Sequence, residues 1–152
     1  MRDRARTLVL SVCLTVVPVM HAVAADFKAV AEAGAVLREA PASASQPLFV
    51  ASRGLPVEVI ATEGAWTRVR DPAGDMAWIE TRALTERRTV LALVPVLSVH
   101  QRADDESPVV LRVAQGVVLE LPAQGDTRPG WLLVRHRDGG TGYVRIGQVW
   151  GG

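Results

Sequence analysis

Hydrophobic and polar residues alternate in short runs along this chain, and the same succession of runs occurs twice. Val57, Val59 and Ala61 alternate with Glu58 and Ile60, and Trp66, Arg68 and Arg70 alternate with Thr67 and Val69. A period of two in β-branched and aromatic residues predicts strands, with the valines beside Glu58 facing inward. Glu63 and Gly64 divide these runs, and residues 71–75 close the second with the Asp, Pro and Gly chemistry of a tight turn. Consecutive strands should therefore pair as antiparallel hairpins. Further along, Val117 to Leu121, Trp131 to Arg135 and Tyr143-Val144 repeat the pattern, with turns at 124–130 and 138–140.

The two copies align position by position. Pro47 matches Pro108, Gly54 matches Gly116, Trp66 matches Trp131, Val69 matches Val134, and Trp78-Ile79 matches Tyr143-Val144. Short strands joined by tight turns in units of this size predict small barrels. The expected fold is all-β, with two small barrels in tandem at residues 26–88 and 89–152. Phe27 to Val30 should supply the first strand of the first barrel, and residues 40–47 form a loop of small residues. Between the copies, Val90 to Val94 is an apolar run that water would not tolerate, so residues 89–94 are expected to form a strand bridging the barrels.

The first 25 residues stand outside this pattern. Arg2, Arg4 and Arg6 precede an apolar run from Leu8 to Met20, followed by Ala22, Ala24 and Ala25. That is the form of a cleaved secretory signal, with cleavage after Ala24 or Ala25. The run is short for a membrane span, which needs about 20 apolar residues. The protein is therefore expected to be periplasmic or secreted, with no membrane anchor after cleavage. Cys13, the single cysteine, lies within the signal. Its alternative use is lipid attachment at Leu10-Ser11-Val12-Cys13, against which stand the bulk of Val12 and the continuation of the apolar run past the cysteine.

Cleavage changes the charge balance. It removes three arginines and Asp3, leaving 14 basic against 15 acidic residues, interspersed along the chain. No electrostatic footprint for nucleic acid remains. Without Cys13 there is no disulfide, thiol nucleophile or cysteine-based zinc site.

The order and duplication of these pieces resemble the bacterial SH3 family, in its tandem periplasmic form. The likeness rests on residues 54–61, 66–71 and 74–79, on a connector at 85–94 containing Arg87-Arg88-Thr89, and on Pro108-Val109-Val110 with Gly116-Val117-Val118. It implies SH3-like barrels that bind proteins or cell-wall material and carry no active site of their own. Such modules usually open with an Asn-x-Arg-x-Gly-Pro-like turn. Here Arg38 and Pro41 match, Val36 and Ala40 replace the Asn and Gly, and the second copy has lost nearly all of the turn around Ser98 to Arg102.

The aromatic residues are the candidate ligand contacts. Trp66 and Trp131 start equivalent strands just after a loop, where one ring face can stay open to a sugar or peptide, although a role as core at the barrel end outweighs it. Trp78 and Tyr143 are the second candidate pair, again with the packing role favoured. Trp150 should pin the last turn onto its barrel.

Other constellations carry less. His100 and His136 are isolated and predict no metal site. Asp104-Asp105-Glu106 lacks the alternating ligands and central Gly of a calcium loop. Gly139-Gly140-Thr141-Gly142 lacks the helix and lysine of a phosphate loop and reads as a hairpin turn. Glu58 and Glu120 occupy equivalent outward positions. No nucleophile, base and acid can be assembled, so the expectation is a binding protein without catalytic residues or cofactor. Its expected partner is peptidoglycan or its peptides, or alternatively an envelope enzyme or secretion component on which it docks as an adaptor.

Overall fold

The computed structural model describes residues 25–123 and 128–152. Residues 1–24, with Cys13, lie outside the described residues, so the expected leader is not described. The first half contains β1 (Asp26–Val30), β2 (Ala35–Arg38), β3 (Pro47–Ala51), β4 (Pro56–Glu63), β5 (Trp66–Arg70), β6 (Met76–Glu80) and β7 (Leu84–Thr85). The second contains β8 (Thr89–Ala92), β9 (Val96–His100), β10 (Val109–Ala114), β11 (Val118–Glu120), β12 (Trp131–Arg135), β13 (Thr141–Arg145) and β14 (Val149–Trp150). A 3-10 turn precedes the last strand of each half, at Thr81–Ala83 and Ile146–Gln148.

The strands form two seven-stranded antiparallel sheets, ordered β3-β2-β6-β5-β4-β1-β7 and β10-β9-β13-β12-β11-β8-β14. Advancing every label in the first order by seven yields the second, so the sequence repeat is a repeat of topology. The turns repeat too. Gly54 and Gly116 both have φ of 81°, and Gly74 and Gly139 both have φ of 94°. Only glycine reaches this left-handed region without a steric penalty, which accounts for the same residue in both copies.

The pleat builds one core per sheet. In β5, Thr67 and Val69 are buried while Arg68 and Arg70 face out; in β6, Ala77 and Ile79 are buried while Met76 is exposed and Trp78 and Glu80 are half-buried. Val30, Leu37, Val57, Val69 and Ile79 fill the first core. Val90, Leu97, Leu119, Val134 and Val144 fill the second. The expected alternation in β4 holds only at its start. Val57 is fully buried, but the register with β5 shifts between Val59 and Ala61, and Ile60 is 43% exposed. A bulge inserts an extra residue and bends the strand, so Ala61 to Glu63 leave the core.

The apolar run after the connector is built into the second barrel and reaches the first through Thr89. β8 pairs with β11 and β14, both in the second sheet, and buries Val90 and Ala92 in that sheet's core. It is the opening strand of the second barrel, the counterpart of β1, and it ends at Ala92. Its own sheet hides the apolar face that the sequence seemed to require a neighbour to cover.

Side chains, that of Thr89 in β8 among them, hold the barrels together. The Thr89 hydroxyl donates to the Gly54 carbonyl at 2.7 Å. Phe27 of β1 meets Trp150 of β14 nearly perpendicularly, with ring centroids 5.2 Å apart. Arg70 lies 5.8 Å from the Trp150 ring on one side of this pair and Arg88 lies 5.9 Å from Phe27 on the other. Arg88 also donates to the Gly151 carbonyl at 3.1 Å. Trp150 thus joins the two barrels rather than pinning only its own last turn. A single barrel of this size has a marginal core, so this seam benefits both.

Candidate functional site

The four candidate aromatics fall into one pair per barrel. In the first, Arg38, Trp78 and Arg68 stand opposite one another across β2, β6 and β5, with Trp66 and Glu80 in the adjoining row. In the second, His100, Tyr143 and Leu133 occupy the equivalent row across β9, β13 and β12, beside Trp131 and Arg145. A loop follows β2 and another follows β9, and each lies along this face.

These loops share one frame. The Arg38 guanidinium donates to the Ser45 carbonyl at 2.7 Å, while the Ala40 amide donates to the Ser45 hydroxyl at 2.8 Å. In the second barrel, Nδ1 of His100 lies 3.2 Å from the Ser107 carbonyl, and the Arg102 amide donates to the Ser107 hydroxyl at 3.0 Å. A carbonyl only accepts, so this bond places the His100 proton on Nδ1. The second turn is therefore retained in geometry although its sequence pattern is gone. The signal that reveals it is a serine at the same spacing from Arg38 as from His100, rather than the Asn, Gly and Pro positions.

The paired tryptophans differ in surroundings. Trp131 is 4% exposed. The Arg145 guanidinium lies 4.2 Å from its ring centroid, and the His100 ring approaches edge-on at 5.5 Å. Little of the ring is left to solvent. In the first barrel Glu80 stands in the position of Arg145, and Trp66 is only half-buried. Trp78 and Tyr143 are half-buried as well.

Asp105, in the loop after β9, anchors Arg145 through a paired hydrogen bond and salt bridge. The bond from Arg145, reinforced by the charges of Arg145 and His100, holds the Asp105 carboxyl below its ordinary value. A lowered folded-state value means that the ionised form stabilises the fold above the unfolded value near 3.8, with loss as the pH falls through the folded value. Asp105→Asn is therefore expected to lower Tm at neutral pH, with the difference from the parent closing in strong acid. A difference that persists or grows there would contradict this linkage.

Beside these residues a pocket of about 560 Å³ is lined by Gln101, Arg102, Asp104, Arg128, Trp131 and Tyr143. Its size lies within the range of small-ligand sites. It combines an aromatic wall with groups of both charges. The other titratable residues singled out from the sequence stand elsewhere. Glu58 pairs with Arg70, Glu120 lies 3.7 Å from Arg87, and Nδ1 of His136 lies 3.2 Å from Asp138. Among the described residues, no three or more His, Cys, Asp or Glu are grouped to hold a metal ion.

The bacterial SH3 domain family matches this sequence twice, at residues 31–86 and 94–151. The chain belongs to that family. Each match begins just after the first strand of its sheet, so β1 and β8 precede the matched portions of the two SH3 domains. No curated protein matches the sequence. Among solved structures, NlpC2 from Trichomonas vaginalis is similar at 11% identity and a TM-score of 0.36, over 83% of this chain and 48% of that one. NlpC1 from the same organism is similar at 13% identity and a TM-score of 0.35, over 93% of this chain and 50% of that one. The chain thus spans about half the length of either protein.

Proposed function

We propose that this tandem SH3 protein is a non-catalytic component of the cell envelope, released into the periplasm, that recognises peptidoglycan or its peptides through the outer aromatic faces of its domains. One observation carries the reading. The pocket beside Tyr143 sets an aromatic wall next to Arg102, which suits a carboxylate, and Asp104, which suits an ammonium group. Wall peptides present both kinds of group next to a sugar. Each domain would bind weakly, and two domains held at a fixed separation gain by avidity on a repeating ligand.

Sedimentation with purified sacculi tests this reading, using the parent beside a Trp78→Ala/Tyr143→Ala variant whose fold is checked by circular dichroism. The parent should pellet saturably, and the folded variant should lose about tenfold or more in affinity, as expected when central aromatic contacts are removed. A parent that stays in the supernatant at low salt refutes wall recognition. Equal pelleting of parent and variant removes it from these two faces.

A further inference from the structure

A second concavity lies between the domains and is distinct from the aromatic pocket. It is an open cleft of about 1620 Å³, larger than small-molecule sites usually are. Its lining includes Gly54 of the first domain and Gly116, Val117, Val118 and Leu121 of the second. Gly54 and Gly116 present bare backbone, and the neighbouring aliphatic side chains make the rest of this wall apolar.

Five guanidinium groups line the same cleft, namely Arg53, Arg87, Arg88, Arg135 and Arg137, against the two carboxylates of Glu86 and Glu120. The carboxylates are already engaged, Glu86 by Lys28 and Glu120 by Arg87. Arg88 is held by the Gly151 carbonyl, and Arg137 lies 3.8 Å from Asp138. Arg53 and Arg135 have no hydrogen-bond or ion-pair partner among the described residues. They belong to different domains, and both are exposed. Gathering like charges costs the folded chain free energy, and a concave low-dielectric wall focuses their field on whatever enters.

From this arrangement we infer that the inter-domain cleft is a binding site for an extended acidic protein segment, which lays apolar side chains against the aliphatic wall and places carboxylates on Arg53 and Arg135. The guanidinium fork matches a planar carboxylate with two parallel hydrogen bonds. The volume of the cleft suits a chain segment rather than a single small anion. The aliphatic wall suits the apolar side chains between a peptide's acidic residues, which a uniformly charged phosphate chain lacks. This site does not depend on the wall reading of the aromatic pocket.

The test is fluorescence anisotropy of the full chain with a labelled decapeptide of alternating Glu and Ala, beside the same design with Lys for Glu. Arg53→Ala/Arg135→Ala removes one free guanidinium from each domain, and Arg82→Ala/Arg112→Ala removes the same net charge outside the cleft. The parent and the second variant should bind the acidic peptide alike and the Lys peptide not at all. The cleft variant should lose about tenfold or more, with an affinity in the parent that falls as salt rises. Absence of binding by the parent, or equal losses in the two variants, overturns the proposal. Tighter binding of inorganic polyphosphate than of the peptide, lost in the cleft variant, replaces the acidic segment with a phosphate polymer. Displacement of the peptide by soluble wall fragments transfers the cleft to wall recognition and likewise overturns it.

Discussion

Trp131→Ala is expected to destabilise the second SH3 domain by about 3–5 kcal/mol, the usual range for emptying a buried aromatic site. The equivalent Trp66→Ala in the first domain should cost only about 1–2 kcal/mol, because part of that ring is already in water. Trp131 is 4% exposed, with Arg145 over its ring and the His100 ring packed against it at a steep angle. Its removal strips Arg145 of a cation–π contact, typically about 0.5–2 kcal/mol, and leaves a void under the loop after β9. Trp66 stands across from Glu80, and the aromatic face gains no attraction from a carboxylate there. Urea unfolding of the two variants measures the difference, and equal costs would contradict the packing described. The result also governs binding experiments. Loss of ligand in Trp131→Ala would reflect loss of fold, which is why Trp78 and Tyr143 are the informative positions.

Trp150→Ala should cost about 2–4 kcal/mol and also split the unfolding of the two domains. The ring spans the seam, with Phe27 at 5.2 Å and Arg70 at 5.8 Å. Its indole N–H is buried with no hydrogen-bond partner among the described residues. Such an orphaned donor costs roughly 1–3 kcal/mol, so packing rather than hydrogen bonding holds the ring in place. Trp150→Phe, which keeps a ring and removes the orphaned N–H, should therefore retain most of the parent's stability. Amide resonances of each domain followed through denaturant provide the measurement. One shared transition is expected for the parent and for Trp150→Phe, and two for Trp150→Ala. A single unshifted transition in Trp150→Ala would show that the seam does not couple the domains.

The match between these structural expectations and the chain itself is uneven. The repeat, the strands β5, β6, β12 and β13, and the turn glycines were legible because pleat period and positive φ act on neighbouring residues. Gly54 and Gly116 align between the copies, and the positive φ that both adopt penalises any residue but glycine. The strand at residues 89–94 is legible as part of the second barrel, but an apolar run announces burial without saying which strands pair with it. The loop frame of the second barrel was missed since hydrogen-bond geometry tolerated His100 for Arg38.

The four aromatic candidates show the same division. Their equivalence between copies follows from the alignment, and the structure places them in one pair per barrel. Their difference does not follow, because it arises from Arg145 in one copy and Glu80 in the other, side chains that meet the tryptophans only across the sheet. The inter-domain cleft was invisible for a stronger reason. Arg53 and Arg135 lie far apart in a sequence whose charges appear evenly mixed, and only the docking of one barrel on the other brings them into one concavity.

By itself, then, the amino-acid sequence determined that this protein builds two copies of one all-β module, because local periodicity and turn chemistry are written residue by residue. The tertiary structure alone decided which tryptophan is buried, which strands pair with one another, and where positive charge accumulates. Those outcomes depend on contacts between residues distant in the chain, whose energies exist only once both partners have been brought together.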